Sequence, residues 1–211
     1  MILMLKGQSD IISAVIIIII AIGLVSTAYT WGIPLIQKQQ DTSLVDRVTS
    51  YFSPDNVNSI EKRIVSIATN GGEETFSEDA SGFWQLVPNG ASADSNSLSF
   101  TFFSRVSNIA TGQWVSLNGP ACTAAPGSVG EDPYVVCARA DPISNGFNIT
   151  YKVQFRQLQG SMQGYQIYLL PATSSPLSST SKTMRIQKGN SYTTVANGQN
   201  LIIVEAKILL G

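Results

Sequence analysis

One apolar stretch near the start of the chain dominates its pattern of hydrophobic and polar positions. Residues 11 to 37 read IISAVIIIIIAIGLVSTAYTWGIPLIQ and include no charged residue, whereas Asp10 precedes the run and Lys38 follows it. As an α-helix this stretch would measure roughly 40 Å, and the apolar core of a bilayer is about 30 Å thick. Because the run has no polar face, we expect a helix that lies in lipid or among other apolar helices.

The next residues predict that the helix continues with an amphipathic pattern. Residues 35 to 52 read LIQKQQDTSLVDRVTSYF, in which the apolar positions recur at spacings of three, four and eight: Leu35, Ile36, Leu44, Val45, Val48, Tyr51 and Phe52. Such a face can pack against a following domain. Pro34 predicts a kink between residues 28 and 34. The turn-forming run Ser53-Pro54-Asp55-Asn56 predicts the end of the helix.

After residue 53 the pattern becomes that of β-strands. Ten short segments alternate or run apolar between Asn-Gly, Gly-Gly, Pro and Ser clusters. They are Arg63–Ala68, Phe83–Val87, Ser97–Val106, Gln113–Leu117, Tyr134–Arg139, Phe147–Gln157, Tyr165–Leu170, Thr183–Gln187, Tyr192–Val195 and Asn200–Leu210. Asn197-Gly198 predicts a hairpin between the last two. The expected fold class is therefore α+β, a long N-terminal hydrophobic helix followed by an all-β antiparallel sandwich-like head.

Composition and charge exclude some function classes. The chain has 211 residues, a formal net charge of −1 and no histidine. We expect no nucleic-acid partner, since there is no global basic field, and the commonest general base and transition-metal ligand is missing. The sequence contains no nucleophile elbow, no phosphate-binding glycine motif and no zinc-ligand spacing. We therefore expect no enzyme, no cofactor and no metal; a buried carboxylate pair in a cleft would favour an exported enzyme instead.

Two cysteines, Cys122 and Cys137, bracket a loop rich in turn-forming residues. An even number of cysteines in an exported region favours one disulfide. Closing a loop of this length would stabilise the fold by roughly 3 kcal/mol. A redox or metal-binding pair would need closer spacing and more ligands.

Two further segments predict surface features of the head. Asn148-Ile149-Thr150 is an N-x-S/T sequon, so Asn148 is a candidate glycosylation site if it is exposed, although the triplet lies inside a predicted strand. The acidic stretch from Gly71 to Asp79 could bind calcium through oxygen ligands. Because it has no EF-hand spacing, we interpret it as a solvated loop.

The first ten residues, MILMLKGQSD, carry a resemblance to a known family. Lys6-Gly7 followed by Gln8-Ser9-Asp10 and an isoleucine-rich helix resembles the class III signal peptide of archaeal type IV pilin-like proteins. The resemblance implies that a membrane-embedded prepilin peptidase cuts between Gly7 and Gln8. It departs from the family in an apolar leader before Lys6, and in an acidic residue, Asp10, at the third mature position.

The resemblance also implies an organisation of the chain. Residues 1–7 would be the leader peptide, residues 8–52 the hydrophobic and amphipathic helix, and residues 53–211 an extracellular β-rich head. Asp10 is interpreted either as a polar residue at the membrane boundary or as an assembly contact with the α-amino group of a neighbouring subunit. An alternative is an ordinary secretory signal cut after Ala28, with Ser26 and Ala28 at the −3 and −1 positions.

The expected function is a structural subunit of an archaeal type IV pilus-like filament for adhesion or surface attachment. Its partners would be copies of itself, the prepilin peptidase and assembly platform, and the membrane before assembly. The protein would lie in the cell membrane as a precursor and in an extracellular filament afterwards. The alternatives are an archaellin-type motility subunit, and a membrane-anchored extracellular binding protein that does not polymerise.

Overall fold

A computed structural model gives the structure of this chain. It describes residues 4–211 except 91, 124, 174 and 197, and of residues 4–10 it describes the backbone alone. The helices are α1 (Met4–Tyr51) and α2 (Ile60–Asn70). The strands are β1 (Glu73–Ser77), β2 (Gly82–Val87), β3 (Ser97–Ser104), β4 (Val115–Ser116), β5 (Gly127–Ser128), β6 (Tyr134–Ile143), β7 (Gly146–Phe155), β8 (Leu158–Gln159), β9 (Gln163–Pro171), β10 (Ser178–Ser179), β11 (Thr183–Ala196) and β12 (Gln199–Leu210).

The long N-terminal helix is present as predicted. α1 continues through Pro34 and ends at Tyr51, directly before the predicted turn at residues 53–56. The chain divides into two compact units, Met1–Thr42 and Ser43–Gly211. The first unit is the apolar part of α1, and the second contains the last turns of α1 together with the head.

Those last turns belong to the core of the second unit. Val45 and Val48 are buried on one face of α1, as the amphipathic pattern predicted, and Phe52, which directly follows the helix, is buried as well. The Phe52 ring stacks on that of Tyr151 in β7, with ring centroids 5.1 Å apart, and the Tyr151 hydroxyl lies 2.6 Å from Thr49 Oγ1. The head therefore folds around the end of the helix rather than beside it.

Two sheets make up most of the head. Their strand orders are β1-β11-β12-β9-β8-β5 and β10-β2-β3-β7-β6-β4. The second sheet is antiparallel throughout its described pairs, whereas the first contains two parallel pairs, β12 with β9 and β5 with β8. The α+β class is confirmed, with a head that is rich in antiparallel pairs.

One apolar core lies between these elements. Alternation along β2 and β3 turns Trp84, Leu86, Leu98 and Phe100 inward, because successive side chains of a strand point to opposite faces. Residues from both sheets, from α2 and from the end of α1 belong to the same buried cluster. The head is consequently stabilised as one body, in which β-strands supply most of the core.

A buried asparagine links the two sheets. Asn96 has a backbone φ of 59°, a conformation that asparagine tolerates better than most residues. Its side-chain amide donates hydrogen bonds to the carbonyl oxygens of Phe155 in β7 and Ile167 in β9, and its Oδ1 accepts one from the N–H of Leu169. These bonds satisfy backbone groups in strands of different sheets, which the sequence did not predict.

The strand predicted at Arg63–Ala68 is wrong, since these residues lie in α2. Ile60, Ile64 and Ile67 recur at helical spacing, and all three are buried on one face. The apolar residues on that face pack against β11, β12 and β1. A short apolar run is compatible with the periodicity of a helix and with that of a strand. Here the helix forms because its apolar face packs on a sheet.

Two predicted strands near the C-terminus are one strand. Thr183–Gln187 and Tyr192–Val195 both belong to β11, which has a β-bulge between Lys188 and Ser191. The hairpin predicted at Asn197-Gly198 joins β11 to β12, with Ala196 opposite Gln199, although Asn197 itself lies outside the described residues. The bulge interrupts the apolar alternation, which is why the sequence suggested two strands.

Candidate functional site

The apolar part of α1 exposes a continuous hydrophobic surface. Every residue from 11 to 31 is exposed, and sixteen large apolar side chains between residues 11 and 36 are 41% to 75% exposed. They are Ile11, Ile12, Val15, Ile16, Ile17, Ile18, Ile19, Ile20, Ile22, Leu24, Val25, Tyr29, Trp31, Ile33, Leu35 and Ile36. Fully burying a side chain of this kind is worth about 1.5–3 kcal/mol, so the whole surface represents on the order of 20 kcal/mol or more.

By length and composition this helix could cross a membrane. Residues Ile11–Tyr51 form a helix whose most apolar window has a mean hydropathy of 2.8 and is not buried in the folded chain. Length and composition alone do not separate a membrane anchor from a secretory signal near the N-terminus. The exposed surface therefore requires apolar surroundings, but it does not distinguish lipid from other apolar helices.

The hydroxyl groups of the apolar helix are compatible with apolar surroundings. Thr27 Oγ1 donates a hydrogen bond to the carbonyl oxygen of Gly23 (2.8 Å), and Thr30 Oγ1 donates to that of Ser26 (3.0 Å). Side-chain to backbone bonds of this i to i−4 type satisfy a hydroxyl within its own helix. These two threonines consequently need neither water nor a partner chain to satisfy them.

The predicted cleavage and assembly residues lie where only the backbone is described. Lys6, Gly7, Gln8 and Asp10 belong to α1, and their side chains lie outside the described part of the structure. The cut after Gly7 and both interpretations of Asp10 stay predictions.

The predicted disulfide is present. Cys122 and Cys137 are joined, with Cα atoms 6.0 Å apart. Cys137 is buried on β6, and Cys122 lies in the loop between β4 and β5. The bond therefore ties this loop to the second sheet.

Asn148 meets the condition of exposure that the sequon required. It lies on β7 between Phe103 of β3 and Asp141 of β6, and it is exposed. Its position inside a strand agrees with the sequence interpretation. Glycosylation of Asn148 stays a prediction.

The prediction of a solvated loop for the acidic stretch from Gly71 to Asp79 is wrong for most of its length. Residues 73–77 form β1, which pairs with β11. Glu73 Oε1 forms an ion pair with Arg185 Nε at 2.9 Å, and Glu74 forms an ion pair with Arg63 of α2. The carboxylates neutralise cations on the neighbouring strand and helix, which allows an acidic segment to pair as an edge strand.

Two carboxyl groups of the head are buried. Neither Glu61 oxygen has a hydrogen-bond partner among the described residues, and burial raises the pKa of this carboxyl from 4.5 to about 7. Glu78 Oε1 accepts a hydrogen bond from the Ala80 N–H at 2.8 Å, and burial raises its pKa as well. Glu61 lies near Ser59 and Asp132, whereas Glu78 lies near Asp79 and Arg47, so the two do not share surroundings.

A polar groove of about 350 Å³ lies on the outer side of the second sheet, and the sequence did not predict it. Arg139 of β6 and Lys152 of β7 both approach the Trp114 ring, at 4.8 and 4.5 Å from its centroid. Lys152 also pairs with Asp94 at 2.8 Å, and Arg139 pairs with Asp141 at 2.8 Å. Both cations are thus already neutralised, and the cluster attaches the loop of Trp114 to the sheet.

Among the described residues, no group of three or more His, Cys, Asp or Glu side chains is placed to hold a metal ion. Comparisons with family models, with curated proteins and with solved structures give no match to this chain.

Proposed function

We propose that this chain is a structural subunit of an archaeal type IV pilus-like extracellular filament. The observation that carries the proposal is the charge-free helix of residues 11–37, which is exposed and runs without interruption into the core of a folded head. A helix that is apolar on all sides needs lipid or other apolar helices around it. In a filament core made of such helices, each helix is surrounded by other apolar helices.

The sequence of events follows from this solvation requirement. The precursor is inserted in the membrane through residues 11–37, and a prepilin peptidase removes residues 1–7. The assembly platform then transfers the helix from lipid to a core formed by copies of itself. Because lipid and helix surfaces are similarly apolar, close packing and dispersion supply the attraction in that core.

Asp10 would set the register of neighbouring helices in this core. An unpaired carboxylate surrounded by apolar side chains is costly, whereas a carboxylate paired with a neighbour's α-amino group is compensated. The new amino group exists only after cleavage at Gly7, so processing would precede ordered assembly.

The head would face water and provide adhesion or surface attachment. Support comes from the way the helix is attached: Val48 and Phe52 are buried in the head core, and the Thr49 hydroxyl contacts that of Tyr151. The last turns of the helix are thus held by the core of the head itself.

The proposal is tested by N-terminal sequencing of protein sheared from cells, together with electron microscopy of the same fraction. Filaments whose subunits begin at Gln8 are the expected result. A Gly7→Leu variant should keep Met1 and form no filaments, because its side chain obstructs the close approach of the peptidase, whereas Gly7→Ala should still be cut.

Other outcomes would contradict the proposal. A membrane-bound monomer that keeps Met1 would indicate a plain anchor, and a soluble product beginning at Tyr29 would indicate a secretory signal. Rotating filaments that begin at Gln8 would favour the archaellin-type alternative over adhesion.

A further inference from the structure

The outer strands of the two sheets are protected in ways that prevent edge-to-edge pairing. β4, β5 and β10 have two residues each, and β1 carries the charged residues Glu73 and Glu74. Short edge strands and charges on edge strands are common means by which proteins avoid adding a foreign strand.

One segment of β11 lacks these protections. β1 pairs with β11 only from Thr183 to Gln187, whereas Ser191 to Ala196 pair with β12 on one side and, among the described residues, with no strand on the other. The segment reads SYTTVA, with no charge and no proline, and it is rich in residues that favour strands. Tyr192 and Val195 are 44% and 69% exposed. We call residues 191–196 the free edge.

The free edge is held in a strand conformation. The ladder with β1 ends where the Lys188 N–H donates to the Gly72 carbonyl oxygen, and the Asn190 N–H donates to Glu205 Oε2 in the bulge. Beyond the bulge, β12 supports the free edge along its length, and β12 is itself paired with β9 over residues 200–208. An added strand would therefore meet a preformed edge, which lowers the entropy cost of binding.

We infer that the free edge pairs antiparallel with the free edge of a second copy of this chain, across a two-fold axis. Two identical uncharged segments bring no like charges together, and a self-complementary contact is what a two-fold axis requires. An axis perpendicular to the sheet keeps each face on its own side, which allows a register centred on Thr193 or on Thr194. We place the axis at Thr193, because that register sets Thr193 opposite Thr193 and Tyr192 opposite Thr194 of the second copy. Thr–Thr and aromatic–β-branched pairs are favourable cross-strand pairs.

The pairing has a specific consequence in a filament, and this step alone rests on the proposed function. Successive subunits of a helical filament are related by rotation with translation, not by a two-fold axis. The contact would therefore join heads of different filaments, and the filaments would form lateral bundles.

The pairing is tested on the full-length chain in detergent, which covers the apolar helix. Sedimentation at micromolar concentrations should show a monomer–dimer equilibrium for the wild type. Thr193→Lys should weaken the dimer at least tenfold, because it places two lysines directly opposite each other. Thr180→Lys, the same change at an exposed site beside β10, is the matched control and should leave the dimer unchanged. Thermal unfolding of each variant checks that the head is folded.

The register has its own test. Cα atoms of opposite residues in an antiparallel pair are about 5 Å apart, within the range for a disulfide. Thr193→Cys should therefore form a covalent dimer on mild oxidation, whereas Val195→Cys, about 14 Å from its own copy, should not.

Several results would overturn the inference. The pairing is contradicted if the wild type stays monomeric or if the dimer persists in Thr193→Lys. The register is contradicted if cross-linking occurs preferentially through Val195→Cys. On cells, Thr193→Lys should abolish bundles while single filaments remain. If the proposed filament function were wrong, the wild type would form no filaments either, which distinguishes that failure from a failure of the pairing.

Discussion

At the residue scale, Glu61 of α2 is a buried carboxyl group without the solvation that a carboxylate ordinarily has. Both of its carboxyl oxygens lack a hydrogen-bond partner among the described residues, and Ser59 Oγ beside it lacks one as well. Burial penalises the charged form, and the nearby positive charge of Lys62 offsets only part of that cost. The folded head therefore holds a proton on Glu61 at a pH where the unfolded chain has released it.

Glu61→Gln is expected to remove a pH dependence of stability. Since the folded pKa is about 7 and the ordinary value is 4.5, the free energy of unfolding of the wild type should fall as the pH rises from 4.5 to 7 and level off above. A shift of this size corresponds to at most about 3 kcal/mol. The variant should be more stable than the wild type at pH 8 and nearly equal to it at pH 4.

The measurement is urea unfolding of the detergent-solubilised chain between pH 4 and 8, followed by tryptophan fluorescence. Asp55→Asn, at an exposed carboxylate, is the control and should leave the pH profile unchanged. If Glu61→Gln and the wild type were equally stable at pH 8, the raised pKa of Glu61 would be contradicted.

At the element scale, α1 is a single helix in which two parts have different surroundings. Residues 11–31 are apolar and exposed on every side, whereas in the last turns the buried residues, Val45 and Val48, lie on one face. The second pattern is that of a helix on a protein surface, and the first is that of a helix in an apolar medium. The first part of α1 therefore requires apolar surroundings, whereas its last turns are buried by the head.

A charge in the first part is expected to weaken insertion and to abolish assembly. Ile18→Lys places an ammonium group at the middle of the apolar run, where it costs roughly 3 kcal/mol in a membrane and finds no partner in a helix core. The membrane-bound fraction should fall and electron microscopy should show no filaments. The head should keep its disulfide and its thermal unfolding transition.

Val57→Lys provides the matched comparison. Val57 is 77% exposed in the loop between α1 and α2, so a lysine there meets water. Filaments should form normally. If Ile18→Lys also formed normal filaments, the apolar helix could not be the core of the assembly.

At the scale of the whole molecule, pairings between distant parts of the chain hold the head together. β9 lies beside β12 in parallel, and the end of α1 packs on β7 a hundred residues later, through Phe52 and Tyr151. Such contacts close long loops in the unfolded chain, which is costly in entropy. The disulfide between Cys122 and Cys137 shortens one of these loops in advance.

Replacing both cysteines, by Cys122→Ser and Cys137→Ala, is expected to lower the free energy of unfolding by about 3 kcal/mol. Alanine is chosen at position 137 because that site is buried. Urea unfolding of the double variant should agree with that of the reduced wild type, which retains both sulfur atoms. A double variant as stable as the oxidised wild type would show that the bond does not stabilise the head.

Local patterns explain how much could be predicted. The helix over residues 11–52, its end near Ser53 and the strand character of most of the head depend on neighbouring residues, and all were predicted. α2 and β1 were missed because Arg63–Ala68 fits two periods and Glu73 with Glu74 resembles a loop until cations from elsewhere neutralise them. The groove around Trp114 was missed because its ring comes from a loop and its cations from two strands.

The sequence by itself determined that the chain has a helix which water does not solvate, because the absence of charge from residues 11 to 37 does not depend on any fold. Only the tertiary structure decided that Glu61 is buried, that Asn96 links the two sheets, and that residues 191–196 keep an open edge. The reason is physical: solvation of a single helix is a sum over its own residues. Burial and strand pairing instead depend on partners that are distant in the sequence.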